Sequence, residues 1–187
     1  MSGPVYWIVE ACWALFLIVW AITSLQAKTS VRRGLNSAGV LWRIAVLAVV
    51  VVLAQGLKQG WIPRPTPFPY AVQLIGVPVT MAGIGFSIWA RMTLGSNWGM
   101  PMTLRETPEL ITGGPYAFVR HPIYTGIIFA MLGTAMTFGA WWFIILVIAF
   151  GYFVISAHQE ENDMRAHFPD AYPPYMARTK RLIPFVY

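Results

Sequence analysis

Apolar and polar positions in this chain fall into long blocks rather than the short periods of a soluble fold. Residues Val5 to Leu25 form an apolar run about as long as a helix that crosses a bilayer. Glu10 lies near its start and reads either as a snorkelling interfacial acid or as a functional one. A basic loop follows, with Lys28, Arg32, Arg33 and Arg43 among the loop formers Gly34, Asn36, Ser37 and Gly39. A second apolar run covers Val40 to Leu57. Prolines at 63, 65, 67 and 69 then exclude a helix, and Trp61 and Tyr70 beside them suit a membrane interface. A third run, Ala71 to Met92, contains Gly76, Pro78, Gly83 and Gly85, which predicts a kink and close helix packing. A polar segment of mixed composition spans 93 to 121. A fourth helix is predicted from Pro122, a favourable first-turn residue, to Phe138. After a turn at Gly139 and Ala140 comes a fifth, from Trp141 to Ala157.

The pattern predicts an all-α integral membrane protein of five transmembrane helices. The last two form a tight hairpin, each slightly short and so tilted or set in thin bilayer. The tail, 158 to 187, is expected to fold as a cap, with a short helix continuing from the fifth. Composition agrees: 57% of residues are hydrophobic and 11% charged, against about 25% charged in soluble domains, and the mean hydropathy is +0.59. One membrane domain, 1 to 187, accounts for the length.

The net charge of +6 does not indicate a nucleic-acid partner, because the basic residues flank apolar runs. Of the 13 Lys and Arg, only Lys58 and Arg64 fall outside the loop 26–43, the segment 91–121 and the tail. The positive-inside bias then puts the N-terminus outside and the segment 93–121 and tail in the cytoplasm. Four spans would put Arg120 and the tail on opposite faces and break that bias. The N-terminus lacks the basic start of a secretory signal. Cys12 is the single cysteine, so an internal disulfide and a cysteine-based metal site are excluded.

Candidate chemistry concentrates in Gly113 to Gly126, where Arg120, His121, Tyr116, Tyr124, Pro115 and Pro122 stand close together. A plain anchor has no need of such a set. The start of the fourth helix offers free N–H groups and a positive dipole end, Arg120 a fork for a carboxylate or phosphate, and Gly126 room for another backbone or a ligand. Glu160 and Glu161, at the end of the fifth helix, suit an ammonium or ribose hydroxyls. Read from charge alone, Arg120 and His121 also fit as positive-inside anchors, and the glutamates as a solvated helix end. A metal site drawn from His158, His167, Glu161 and Asp163 lacks a helical His pair at i, i+4, and none is expected. The nine Met and nine Trp read as lipid-facing or interfacial packing.

Order and spacing narrow the choice. Leu110 to Tyr116, Arg120 to Gly126, Glu160-Glu161, Tyr172 to Tyr175 and Arg181 to Pro184 closely resemble the pattern of the isoprenylcysteine carboxyl methyltransferase family and its wider relatives, which include membrane phospholipid N-methyltransferases. The resemblance covers about the C-terminal half, with Leu94, Gly95 and Trp98 as a weaker extension. Where that family often has a His before Glu109, this chain has Pro108. The resemblance implies S-adenosylmethionine as cofactor, bound without a Rossmann domain, which fits the lack of a GxGxxG after a strand. It implies that Tyr116, His121, Pro122, Tyr124, Gly126, Glu160, Glu161 and Tyr175 line the cofactor pocket. Arg91, Asn97, Trp98 and Arg120 would serve a lipophilic acceptor that enters sideways from the bilayer, with Arg120 and His121 as the catalytic pair. An acceptor carboxylate is already ionised and needs no base; an amine or phenol would need one, from His121 or a glutamate. The alternatives are an NADPH-dependent reductase of the membrane sterol type and a non-enzymatic membrane scaffold.

Overall fold

The computed structural model describes residues 3–24, 30–32, 67–98, 104–105 and 109–184, with isolated positions 44, 48, 52, 55, 59 and 60. Apart from positions 44, 48, 52 and 55, the expected helix at 40–57 lies outside the described residues, as do Lys58 and Arg64. Five helices are described: α1 (Pro4–Ser24), α2 (Tyr70–Leu94), α3 (Pro122–Phe138), α4 (Trp141–His167) and α5 (Tyr172–Arg178). Short 3-10 turns cover Gly95–Asn97 and Gly114–Ala117. Two segments read from sequence as connecting loops meet as an antiparallel pair, β1 (Ser30–Arg32) with β2 (Leu104–Arg105).

Helices α1, α2 and α4 are each long and apolar enough to cross a membrane; α3 is apolar but has 17 residues. Only Gly139 and Ala140 separate α3 from α4. The fifth predicted helix continues into the tail. It does not stop at Ala157 but runs to His167, 27 residues in all. Apolarity ends near Ala157, but Gln159, Glu160, Glu161, Met164, Arg165 and Ala166 are strong helix formers, so the helix outlasts its apolar part. Glu160 and Glu161 therefore sit inside a helix rather than at its end.

The core is the crossing of α2 and α3. Lipid supplies no hydrophobic drive between helices, so small residues and interhelical hydrogen bonds do the work. Gly76 faces Gly133 and Gly83 faces Gly126. A methyl group built on Gly76 would lie 2.6 Å from the Gly133 carbonyl oxygen, and one on Gly126 would lie 2.5 Å from that of Gly83. Between these contacts the Thr80 hydroxyl, fully buried, donates to the Gly76 carbonyl at 3.0 Å and approaches that of Ala130 at 3.4 Å. Ser87 donates to the Ile123 carbonyl at 3.2 Å. The expected close packing is present at Gly76 and Gly83, and Pro78 sits inside α2 without ending it. Helix α1 packs on the same pair through Phe16, Ile84 and Ala130, and Trp13 donates to Thr134 at 2.9 Å.

The crossing predicts an asymmetry between two glycines of one helix. Gly83→Leu should lower stability by about 1–3 kcal/mol or more through overpacking. At Gly85 an added Cβ would meet nothing within 4 Å, so Gly85→Leu should leave it nearly unchanged. Thermal unfolding of the detergent-solubilised protein measures both.

Candidate functional site

The site is assembled at the start of α3. Gly114 turns the chain with φ at +59° beside Thr93, a conformation that favours glycine. The following 3-10 turn buries Pro115 and Tyr116. Val119 then pairs with Lys180 as a parallel bridge. The Arg120 N–H donates to the Lys180 carbonyl at 2.8 Å and the His121 N–H to that of Arg181 at 3.1 Å. One turn into α3, the Thr125 hydroxyl donates to the Leu182 carbonyl at 2.6 Å. The tail is thereby stitched to the chain entering α3, with Leu182 completely buried.

Glu161 lies at the centre, with a fully buried side chain. Arg120 Nε donates to its Oε1 at 2.7 Å. Arg181 grips both oxygens, Nε to Oε1 at 3.1 Å and Nη2 to Oε2 at 2.8 Å. Arg120 Nη1 donates to the Thr179 carbonyl and, at 3.2 Å, to that of Met176. These are charge-assisted bonds, the stronger class, and they tie α4, α5 and the start of α3 together. Arg120, expected from sequence to orient an anion, spends Nε and Nη1 on the protein's own groups.

His121 caps α3 and lies between the two glutamates. Its Nδ1 is 3.4 Å from Glu160 Oε2 and its Nε2 3.5 Å from Glu161 Oε1. Burial pulls its pKa down, but the two carboxylates outweigh this and hold it above the usual 6.5. The ring also stacks on Tyr124 at 5.5 Å. Tyr124 in turn donates to Glu160 Oε1 at 2.5 Å and stacks on Phe153 of α4 at 4.6 Å. Both ring nitrogens of His121 thus lie near carboxylates, and its Nε2, buried, has no hydrogen-bond partner among the described residues.

Tyr175 stands behind this cluster. Its hydroxyl donates to the Tyr116 carbonyl at 2.7 Å, and burial pushes its pKa up to about 12. Tyr116 reaches the Ala90 carbonyl at 3.5 Å, which joins the cluster to α2. Pro122 is buried at the first position of α3. Gly126 does not face the glutamates: its missing side chain is used by the α2 crossing.

The residues expected on the acceptor side form a separate group. Arg91, 1% exposed, donates to the carbonyls of Thr23 (2.5 Å) and Gly95 (2.8 Å). Its guanidinium lies over the Trp98 ring at 4.5 Å, and Trp98 meets Trp20 of α1. Asn97 is in the adjacent 3-10 turn. Arg91 is thus a clamp between α1 and the end of α2. Arg181 is the residue that sequence reasoning placed in a motif without giving it a role; the need of a buried Glu161 for a second cation would have found it. Ser156 had no signal at all. It is completely buried one turn before Glu160, and its hydroxyl has no hydrogen-bond partner.

Residues 72–171 match the family model for phospholipid methyltransferases. The chain belongs to the phospholipid methyltransferase family. Within this family assignment, the matched span takes in α2, α3, Glu160 and Glu161. The chain is also similar to the nickel-cobalt-cadmium resistance protein NccN of Alcaligenes xylosoxydans xylosoxydans, 29% identical over 149 residues that cover 77% of this chain and 63% of that protein. It is 25% identical over 146 residues to the cobalt-zinc-cadmium resistance protein CzcN of Cupriavidus metallidurans, covering 77% and 62% respectively. The chain thus spans less than two thirds of the length of these two relatives.

Two outcomes follow for this family member. Glu161→Gln, which leaves two half-buried arginines without their anion, should cost about 3 kcal/mol, measured by chemical or thermal unfolding in detergent. The His121 contribution should depend on pH. Its folded pKa lies above its unfolded value of 6.5, so its stabilisation is complete below about pH 6.5 and is lost as pH rises through the folded value. The difference in melting temperature between wild type and His121→Gln, followed from about pH 5 to pH 9, should therefore be largest at the acid end and shrink upward.

Proposed function

We propose that the protein is an S-adenosylmethionine-dependent methyltransferase acting on a lipophilic acceptor, with its site on the cytoplasmic side of the membrane. The carrying observation is the buried Arg120–Glu161–Arg181 and His121–Glu160–Tyr124 arrangement at the start of α3, in a chain of the phospholipid methyltransferase family. The residues present fit a cationic, polar cofactor. Two carboxylates from adjacent positions of α4 both reach His121 at a helix N-terminus, and the hydroxyl of Ser156, one turn from Glu160, makes no bond among the described residues. Glu160, Tyr124, His121 and Ser156 would hold the cofactor. When bound, it supplies a methyl group on a positively charged sulfur, activated for transfer to a nucleophile. Glu161, locked between arginines, fixes His121 and the tail around it, so that orientation and exclusion of water come from a preorganised frame.

The state of His121 bears on the acceptor. Its ring is set against the protein's own carboxylates, Glu160 and Glu161, which favour its charged form over that of a base. That favours an acceptor already ionised at neutral pH, and we place a lipid carboxylate of the prenylcysteine kind first. The relatives' names attach them to resistance against nickel, cobalt, cadmium and zinc. A part in such resistance would run through modification of a lipid, since among the described residues no group of three or more His, Cys, Asp or Glu comes together.

Calorimetry on the detergent-purified protein tests the reading, with S-adenosylhomocysteine and then NADPH as titrants. Saturable binding of S-adenosylhomocysteine, weakened at least about tenfold in Glu160→Gln, is the expected outcome. Binding of NADPH instead would point to a reductase. Binding of neither, in protein with an unchanged melting temperature, would leave a scaffold.

A further inference from the structure

Charge is distributed unevenly in the candidate site. Five ionisable side chains, Arg120, His121, Glu160, Glu161 and Arg181, meet in one place. The fully buried Glu161 takes both arginines, at 2.7 and 2.8 Å, and these three together keep one positive charge. Glu160, 3.4 Å from His121 Nδ1, adds one negative charge. At neutral pH these four side chains balance. The charge of the cluster is therefore the charge of His121, which is nothing as imidazole and one positive charge as imidazolium.

Among the described residues, the groups that face the ring from other elements leave that balance unchanged. Tyr124 of α3 stacks on it at 5.5 Å. Tyr172 and Tyr175 of α5 stand behind Glu161 and Arg120, and burial pushes both hydroxyls up, so they stay neutral. The tail meets this segment through its backbone at Lys180 and Arg181, and the Lys180 side chain is exposed. Held as an imidazolium, the ring carries an N–H at Nε2 that no described residue accepts. The field of the two carboxylates keeps that proton, without a hydrogen bond of its own. A second cation beside the same carboxylates weakens that field.

We infer that His121 lets the site tell a sulfonium from a thioether: it gives its Nε2 proton to solvent when a positively charged sulfur is seated beside Glu160, and keeps it when the sulfur is neutral. This inference rests on the methyltransferase reading. S-adenosylmethionine and S-adenosylhomocysteine differ by one methyl group and one positive charge. Imidazolium and sulfonium together would be two cations against one pair of carboxylates, of which Glu161 already serves two arginines. The unliganded protein holds the proton near neutral pH, because the carboxylates keep the folded pKa of His121 above 6.5. Below that folded value the sulfonium must displace the proton, so its affinity falls as pH falls. Above it no proton is left to displace, and the affinity levels off. The thioether brings no charge and escapes this dependence.

Calorimetry of the whole wild-type protein in detergent tests this, run in phosphate and in Tris, whose different ionisation enthalpies count the protons released. S-adenosylmethionine should release about half a proton or more per molecule bound at pH 7, and S-adenosylhomocysteine clearly less. From pH 6 to pH 8 the affinity for S-adenosylmethionine should rise about tenfold relative to that for S-adenosylhomocysteine. His121→Gln should bind the two ligands with equal proton counts. Should that variant not fold, imidazole resonances of the wild type give the same answer: S-adenosylmethionine should lower the titration midpoint of His121 and leave the exposed His158 and His167 where they were. Binding of both ligands with equal proton counts, or an unmoved His121 midpoint, would overturn the proposal and leave the methyltransferase reading standing. Binding of neither would overturn both.

Discussion

One buried carboxylate sets the terms for the C-terminal half of this molecule. Glu161 is fully enclosed, and a buried charge without partners costs several kcal/mol. Its partners come from the loop before α3 and from the chain after α5. The fold must therefore bring three distant segments to one point. The backbone bridge at Val119 and Lys180, the threonine anchor at Leu182 and the enclosed His121 all follow from that requirement. Removing the charge and both arginines together would be a milder change than removing one of them, because the main cost lies in what is left unpaired.

A second constraint acts at right angles to the first. The glycine contacts between α2 and α3 fix how near the two backbones come, and so fix the height and rotation of α3. His121, Tyr124 and Thr125 are carried on its first turn and inherit that position. The network around Glu161 then closes on a helix that packing has already placed. Tyr116, bonded to Tyr175 on one side and near Ala90 of α2 on the other, links the two constraints.

Much of this is legible in the sequence. The apolar runs locate α1, α2 and α3 to within one or two residues, since length and hydropathy are the bilayer's own requirement. Arg120, His121, Tyr124, Glu160, Glu161 and Tyr175 stand out because polar groups next to apolar helices are expensive and so mark function or pairing. The failures have physical causes. The end of α4 at His167 lies beyond its apolar part because hydropathy reports solvent, whereas the helix continues wherever propensity allows. At Gly126 a glycine in a motif shows only that something comes close, and α2 does so here. The carbonyls of Thr23 and Gly95 that Arg91 bonds leave no trace in side-chain chemistry. Ser156 matters only through the bond it does not make, and a sequence cannot show that.

The bridge between Val119 and Lys180 has a consequence for how the protein is made. Its two sides are separated in the chain by the whole of α3, α4 and α5, so neither side can find the other until those helices have left the ribosome and settled. Until then Glu161 has at most one of its two arginines. The growing chain thus enters the membrane with this corner unassembled, and the segment after α5 completes it.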